Sequence, residues 1–561
     1  MSDVDHPGML TDLTDTERKL IDAARLGVWL TCGTLGPDDL KDTDDPRYHI
    51  RGEVIRELLL GRHGEIDPHG IRISHARITG KLDVAHIHAP VGLYLRHSVF
   101  DDVALFHNAH FPRIDLTGTH LPGLYASGLQ VDGALHLRYK FTVHGDGERG
   151  AVNLMGARIG GSLSFSDATL SNTVGPALNA ERLTVEGALR MRKGFSATGA
   201  GRAGAVNLTI AHIKGFVLID DARITNTSGP ALRAGQLRVD GSLNILGGVV
   251  LTGGNWPGAL DLAGAQIGGS LSFTGAEMVG AGVPAVRAER LRVGDQVVFH
   301  RGCTATGGGD RGTVVFKGAQ VTGAFDFHGL RIDSTDSLVL NLDSARCAYV
   351  ICPPDLIEPG KQFFVDGFTY TDISGVDWKR WLQWLRFNTE SYLPQPFQQL
   401  AATRTAAGHD GDARTILMDQ QRDHRARGEL GGPLSKFTHA AWGLLAGYGY
   451  RTRRTALTLL LVLMFAGVLG LWAGHTSTGP NRFAAERPTA TGQCSTVELI
   501  GLGIDRGLPL ASTGIRTKCD LDTSSTAGQW FTAVIWLLQA AVWALATLAL
   551  AGYTGLVRKI R

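Results

Sequence analysis

AVNLMGARIGGSLSF at residues 151–165 returns as AVNLTIAHIKGFVLI at 205–219, ALDLAGAQIGGSLSF at 259–273 and TVVFKGAQVTGAFDF at 313–327, a period of 54 residues. A repeat this regular decides the architecture before any single residue does. Each unit divides again. ALNAERLTVEGALRM (177–191) lines up with the first motif at an offset of 26, and ALRAGQLRVDGSLNI (231–245) and AVRAERLRVGDQVVF (285–299) follow at the same 54-residue period. The building block is one coil of 26 to 28 residues.

Inside a coil the apolar residues alternate over short stretches, as at Val152 and Leu154, Ala157 and Ile159, Leu163 and Phe165. That is strand periodicity. Strands so short, joined by Gly and polar residues, bury their apolar side only by stacking coil on coil into a parallel β-solenoid. Leu135, Leu189, Leu243 and Val297 then stand in one column.

Upstream the cadence tightens: Phe111, Leu116, Leu121, Ala126 and Val131 are five apart, each preceded two residues earlier by Ala109, Ile114, Thr119, Leu124 or Leu129. This resembles pentapeptide-repeat proteins, which implies a right-handed, four-sided β-helix over roughly residues 70–350.

The flanks divide the rest. Residues 1–69 predict a helical cap, with a capped start at Thr14 or Thr16 and Glu17, and a second helix over Ile50 to Leu60. Residues 70–375 are the solenoid and 376–430 a helical hairpin that packs on its end. An interfacial helix and basic elbow (431–454) follows, then apolar spans at 455–473 and 530–551, a connecting loop at 474–529 and a tail at 552–561.

Arg451, Arg453 and Arg454 precede the first span and Arg558, Lys559 and Arg561 follow the second, which puts both termini in the cytoplasm and the loop outside the plasma membrane. Trp442, Tyr448, Trp472 and Trp530 fit interfacial anchors. Cys494 and Cys519 are the two cysteines this topology places outside, and an oxidising exterior favours a disulfide between them. Residues 1–13 lack the apolar core of a signal peptide.

Chemistry-bearing motifs are few. Gly199, Gly201 and Gly204 match GxGxxG, yet AVNL after them opens a strand where a phosphate-binding turn needs a helix, and the spacing recurs at Gly145, Gly147, Gly150 and Gly307, Gly309, Gly312. They read as repeat corners, so no cofactor is expected. Ten histidines between His69 and His144 come without a recognised ligand spacing, and no metal is expected. Cys347 and Cys352 are set on opposite faces of a strand by their odd separation. Asp132, Glu186, Asp240 and Asp295 read as a stacked ladder of corner carboxylates. A net charge of +2 argues against a general nucleic-acid binder, which needs a concentrated basic face.

PQPFQQLAATRTAAGHDGDART (394–415) and YGYRTRRTAL (448–457), with the coils and two spans, resemble a group of actinobacterial membrane proteins. The label those proteins often carry implies a membrane-associated oxidoreductase, and no catalytic residue carries over from them. The residues themselves favour a membrane-anchored cytoplasmic scaffold without its own catalysis, holding the bilayer and a protein partner on the solenoid face or helical hairpin. A carbohydrate-acting or carbohydrate-binding β-helix is the third expectation.

Overall fold

The computed structural model describes residues 10, 12–428, 431–446, 452–488, 493–508 and 514–553. Two compact units divide it, one running to Gln399 and the other from Leu400.

The first unit is a parallel β-solenoid. A full coil supplies four short strands: Leu124–Tyr125, Gln130–Val131, Leu135–His136 and Thr142–Gly145, after which Val152–Asn153 pairs with Leu124–Tyr125 and starts the next. One sheet holds twelve strands, one per coil. A second holds nine. The other two faces are joined because Leu189–Gly199 and Val217–Asn226 run unbroken round the corner between them. Coil length changes along the stack: Ala104 pairs with Leu124, twenty residues on, whereas Leu124 pairs with Val152, twenty-eight on. The tighter cadence upstream is therefore a smaller coil, and the longer coils carry an added corner loop.

The inward column behaves as alternation requires. Leu135, Leu163, Leu189, Val217, Leu243, Leu271 and Val297 are neighbours rung by rung, and all are buried. Burying each such side chain is worth about 1.5–3 kcal/mol. Phe273, Phe299 and Phe327 stack beside them with centroids 4.6 and 5.9 Å apart.

Both ends of the stack are closed. Helix α1 (Asp15–Leu26) starts at Thr14 with a capping box to Glu17. Glu17 is buried and forms a salt bridge with Arg51 at 2.8 Å. Helix α2 covers Pro37–Asp42 and α3 Gly52–Leu59. Helix α3 begins two residues later than the sequence implies, because His49–Arg51 pairs in parallel with Arg77–Thr79 as a rung of the solenoid. Leu30–Thr31 pairs likewise with Ile73–Ser74, so the N-terminal segment supplies strands as well as helices.

At the far end α4 (Trp378–Phe387) lays Trp381 and Trp384 over Phe363, with centroids 5.8 and 6.2 Å away. The exposed polar edge of the last coil is taken up by side chains. Asn388 Nδ2 donates to Lys361 O, Gln395 accepts from Gly367 N and donates to Phe368 O, and Gln399 donates to Tyr370 O. Both glutamines belong to α5 (Pro394–Ala406). A sheet edge left open would pair with other chains, and these bonds prevent it.

One ion pair with a buried carboxylate has a pH consequence. Asp115 is 1% exposed and salt-bridged to Arg96 at 2.6 Å. Burial pushes its carboxyl up; His136 3.8 Å away, the Thr117 side chain and Arg96 outweigh that and hold it well below 3.8. A carboxyl with a depressed folded pKa stabilises the fold fully above its unfolded value and loses that contribution as pH falls through the folded one. Thermal unfolding of the wild type and Asp115→Asn is expected to differ at neutral pH and to converge from about pH 4 downward.

The second unit is helical. It continues α5 into α6 (Asp410–Arg427), α7 (Pro433–Ala446), α8 (Thr452–His475), α9 (Thr496–Gly507) and α10 (Thr526–Tyr553). Helices α8 and α10 are long and apolar enough to cross a membrane over Arg454–His475 and Thr526–Thr547, with mean hydropathy 2.4 and 1.6. The segment between them is more than a loop. A Ser495–Glu498 capping box starts α9, which packs against α8 nearly backbone to backbone. A Cβ at Gly470 would overlap Leu499 O, and one at Gly503 would overlap Ala466 O. At the C-terminal end of α9 the buried Asp505 pairs with Arg516 at 2.7 Å, and Arg506 pairs with Asp520.

Candidate interaction surface

The glycines singled out in the sequence are corners of the coils. Gly204 sits at φ +100°, a left-handed corner, and Val206–Asn207 after it is a strand. The same corner recurs at Gly150 (φ +109°) and Gly312 (φ +102°). Asn226 Nδ2 donates to the carbonyls of Gly201 and Pro230, and Asn172, one period earlier, to those of Gly147 and Pro176. The carbonyls of this glycine loop are thus committed to holding the next coil.

The histidines form ladders. His75 and His97 stack at 5.3 Å, and His110 bridges His88 (2.9 Å) and Asp132 (2.8 Å). Among the described residues no group of three or more His, Cys, Asp or Glu is placed to hold a metal ion.

Cys347 and Cys352 are unbonded, and the strand between them spans only Tyr349–Ile351. Both thiols therefore flank the strand, and the alternation argument that set them on opposite faces does not apply. Burial pushes the Cys347 thiol up to about 12.

The four carboxylates do not make one column. Val239, Ile267 and Val293 are aligned, so Asp240 stands level with Gly268 and Gly294, and Asp295 falls one residue later because VGD at 293–295 reverses the VDG of 239–241. The others alternate with Gly160 and Lys214. Each carboxylate has its own partner: Asp132 with His110, Glu186 with Lys214 at 2.7 Å, Asp240 with Arg238 and His212, Asp295 with Ser270.

Cys494 and Cys519 are joined by a disulfide. It pins the start of α9 to the return strand Asp520–Leu521 beside the cluster of Leu469, Ala473, Leu499, Leu502 and Phe531. Trp472 and Trp530 face each other at 6.2 Å where α8 ends and α10 begins. Arg454 is exposed at the start of α8. Tyr448, Arg451, Arg558 and Lys559 lie outside the described residues, and so do the side chains of Trp442 and Arg453.

The surface with the clearest recurring chemistry was not singled out in the sequence. The outward position of the nine-stranded face continues downward as Arg238, Gln266, Arg292, Gln320 and Arg346, paired rung to rung. All five are exposed. Above them the same column reads Gln130, Arg158, Thr184 and His212, so it holds no carboxylate from Gln130 to Arg346. Asp240, beside the top of the lower stretch, accepts from Arg238 Nε at 3.0 Å and contacts His212 at 3.1 Å. Those contacts, Arg238 first, hold the Asp240 carboxyl below its usual range. Among the described residues neither Arg292 nor Arg346 has a carboxylate partner. Glycine at 268 and 294 leaves the flank of the column bare, and a groove of about 610 Å³ runs beside it from Arg238 to Arg346. Within a chain of net charge +2, this face thus carries a local row of arginines at alternate rungs.

Compared with family models, curated proteins and solved structures, this chain finds no match.

Proposed function

We propose that the protein is a membrane-anchored scaffold whose solenoid faces the cytoplasm and receives a protein partner. The observation that carries this reading is the union, in one chain, of two apolar helices with a long stack of parallel rungs. Leu457, Leu460, Leu461, Met464, Phe465 and Val468 of α8 are exposed, as are Trp536, Leu537 and Leu550 of α10. Apolar patches of that extent mark a lipid or protein contact. Arginines at 451, 453 and 454 and the basic tail at 558–561 support cytoplasmic termini. A disulfide between the two apolar helices supports an oxidising compartment for the segment that joins them.

The test is thiol labelling of intact cells with a membrane-impermeant maleimide. A cysteine placed at the exposed Ser524 is expected to react, and one placed at the exposed Glu277 to react only after the membrane is opened. Labelling at 277 in intact cells would contradict the reading, as would release of the protein from membranes by alkaline extraction without detergent.

A further inference from the structure

We propose that the Arg238–Arg346 groove binds an acidic peptide segment in the polyproline II conformation, with a carboxylate at every third residue. This names the partner's chemistry and rests on the scaffold reading.

The stack and such a peptide have matching periods. Neighbouring rungs of a β-sheet are about 4.8 Å apart, so arginines two rungs apart recur at about 9.5 Å along the stack axis. A polyproline II helix rises about 3.1 Å per residue and turns once in three, which puts side chains i, i+3 and i+6 on one face at about 9.3 Å intervals. Carboxylates at those positions meet Arg292 and Arg346 in register, and the next one up reaches Arg238, which already holds Asp240 at 3.0 Å. An ordinary extended strand puts same-face side chains about 6.8 Å apart and drifts out of step within one contact.

The intervening rungs fit as well. Polyproline II backbone has no internal hydrogen bonds, so its carbonyl oxygens need outside donors. Gln266 and Gln320 stand midway between the arginines and present an amide that both donates and accepts. The bare glycine flank lets a peptide backbone approach. Arginine, not lysine, occupies each cationic rung, and its planar fork suits a carboxylate held by two parallel hydrogen bonds.

The experiment uses the full chain in detergent micelles and a fluorescein-labelled peptide of Glu-Pro-Pro repeats, read by anisotropy. Controls carry the same number of glutamates in Glu-Pro or Glu-Pro-Pro-Pro repeats. Binding of the Glu-Pro-Pro peptide is expected, with both other spacings weaker. The pair of substitutions Arg292→Gln and Arg346→Gln is expected to weaken it about tenfold, the scale of two lost exposed charge pairs. Glutamine already stands at two rungs of this column, so the variant keeps the fold. Equal binding of all three spacings, or no change in the double variant, overturns the proposal. So does tighter arginine-dependent binding of an oligonucleotide or of phosphatidylserine vesicles. Spacing-selective binding together with labelling at 277 in intact cells would keep the groove and reject the cytoplasmic scaffold.

Discussion

Trp381→Ala is expected to destabilise the solenoid unit by about 3–5 kcal/mol, the usual cost of emptying a buried aromatic site. Trp381 is 2% exposed and covers Phe363 and Tyr370 of the final coils with edge-on contacts at 5.8 and 6.0 Å. Its loss does more than leave a cavity. Helix α4 is what holds Asn388 against Lys361 O, and without that cap the last rung offers unpaired backbone groups to other chains. Denaturant unfolding should show the loss of stability, and light scattering should show concentration-dependent association. An unchanged midpoint with no association would mean that the helix is an ornament on a stack closed by other means.

The second large effect is expected at Gly503→Val. The substituted side chain would meet the Ala466 carbonyl of α8, where rigid helix backbone and not a flexible side chain must give way. Helices that approach this closely do so through small residues, and the packing is lost when one of them grows. The two helices must separate, uncovering Leu499 and Leu502 and straining the Asp505–Arg516 pair. Displacing Arg516 would remove its charge from beside the buried Asp505 carboxylate. Detergent-solubilised Gly503→Val protein should lose its cooperative thermal transition in the second unit while the solenoid transition stays. Gly479→Val, at a position with open space around it, serves as the control. Identical melting of both variants would show that the close approach of α8 and α9 is not what holds this unit together.

How far the sequence reveals such features depends on how each one is written. The solenoid is legible because every inward position must be apolar in every coil, so Leu135, Leu189, Leu243 and Val297 repeat visibly. The glycine fingerprint is legible as a corner for the same reason, since it recurs with the coils. Helix α9 is hidden because its sequence, TVELIGLGIDRG, is chosen for backbone contact: its glycines read as a loop, and their partner glycines in α8 lie more than thirty residues away. Gln395 and Gln399 look like ordinary polar helix residues, and only the open sheet edge gives them work.

The arginine column escapes notice for a different reason. It contributes one residue per coil, so a scan for contiguous charge finds nothing, and the acidic residues elsewhere cancel it in the total. The signal lies in the eighth position of each quoted motif, which reads Arg158, Thr184, His212, Arg238, Gln266, Arg292 and Gln320 when the motifs are set one below another. Asp295 was misplaced by that same alignment, where a reversed pair of residues shifts the carboxylate by one position and out of the column.

Stacked coils of fixed register make a demand that a single globular core does not: whole periods are interchangeable. Deleting residues 205–258 joins Gly204 to Ala259, which occupies the same place in its coil as Ala205. The shortened protein is expected to keep its strand circular-dichroism signal and a cooperative melt, whereas deleting residues 205–244, which ends partway round a coil, should abolish both. Loss of folding in the whole-period deletion, or survival of the partial one, would contradict the account.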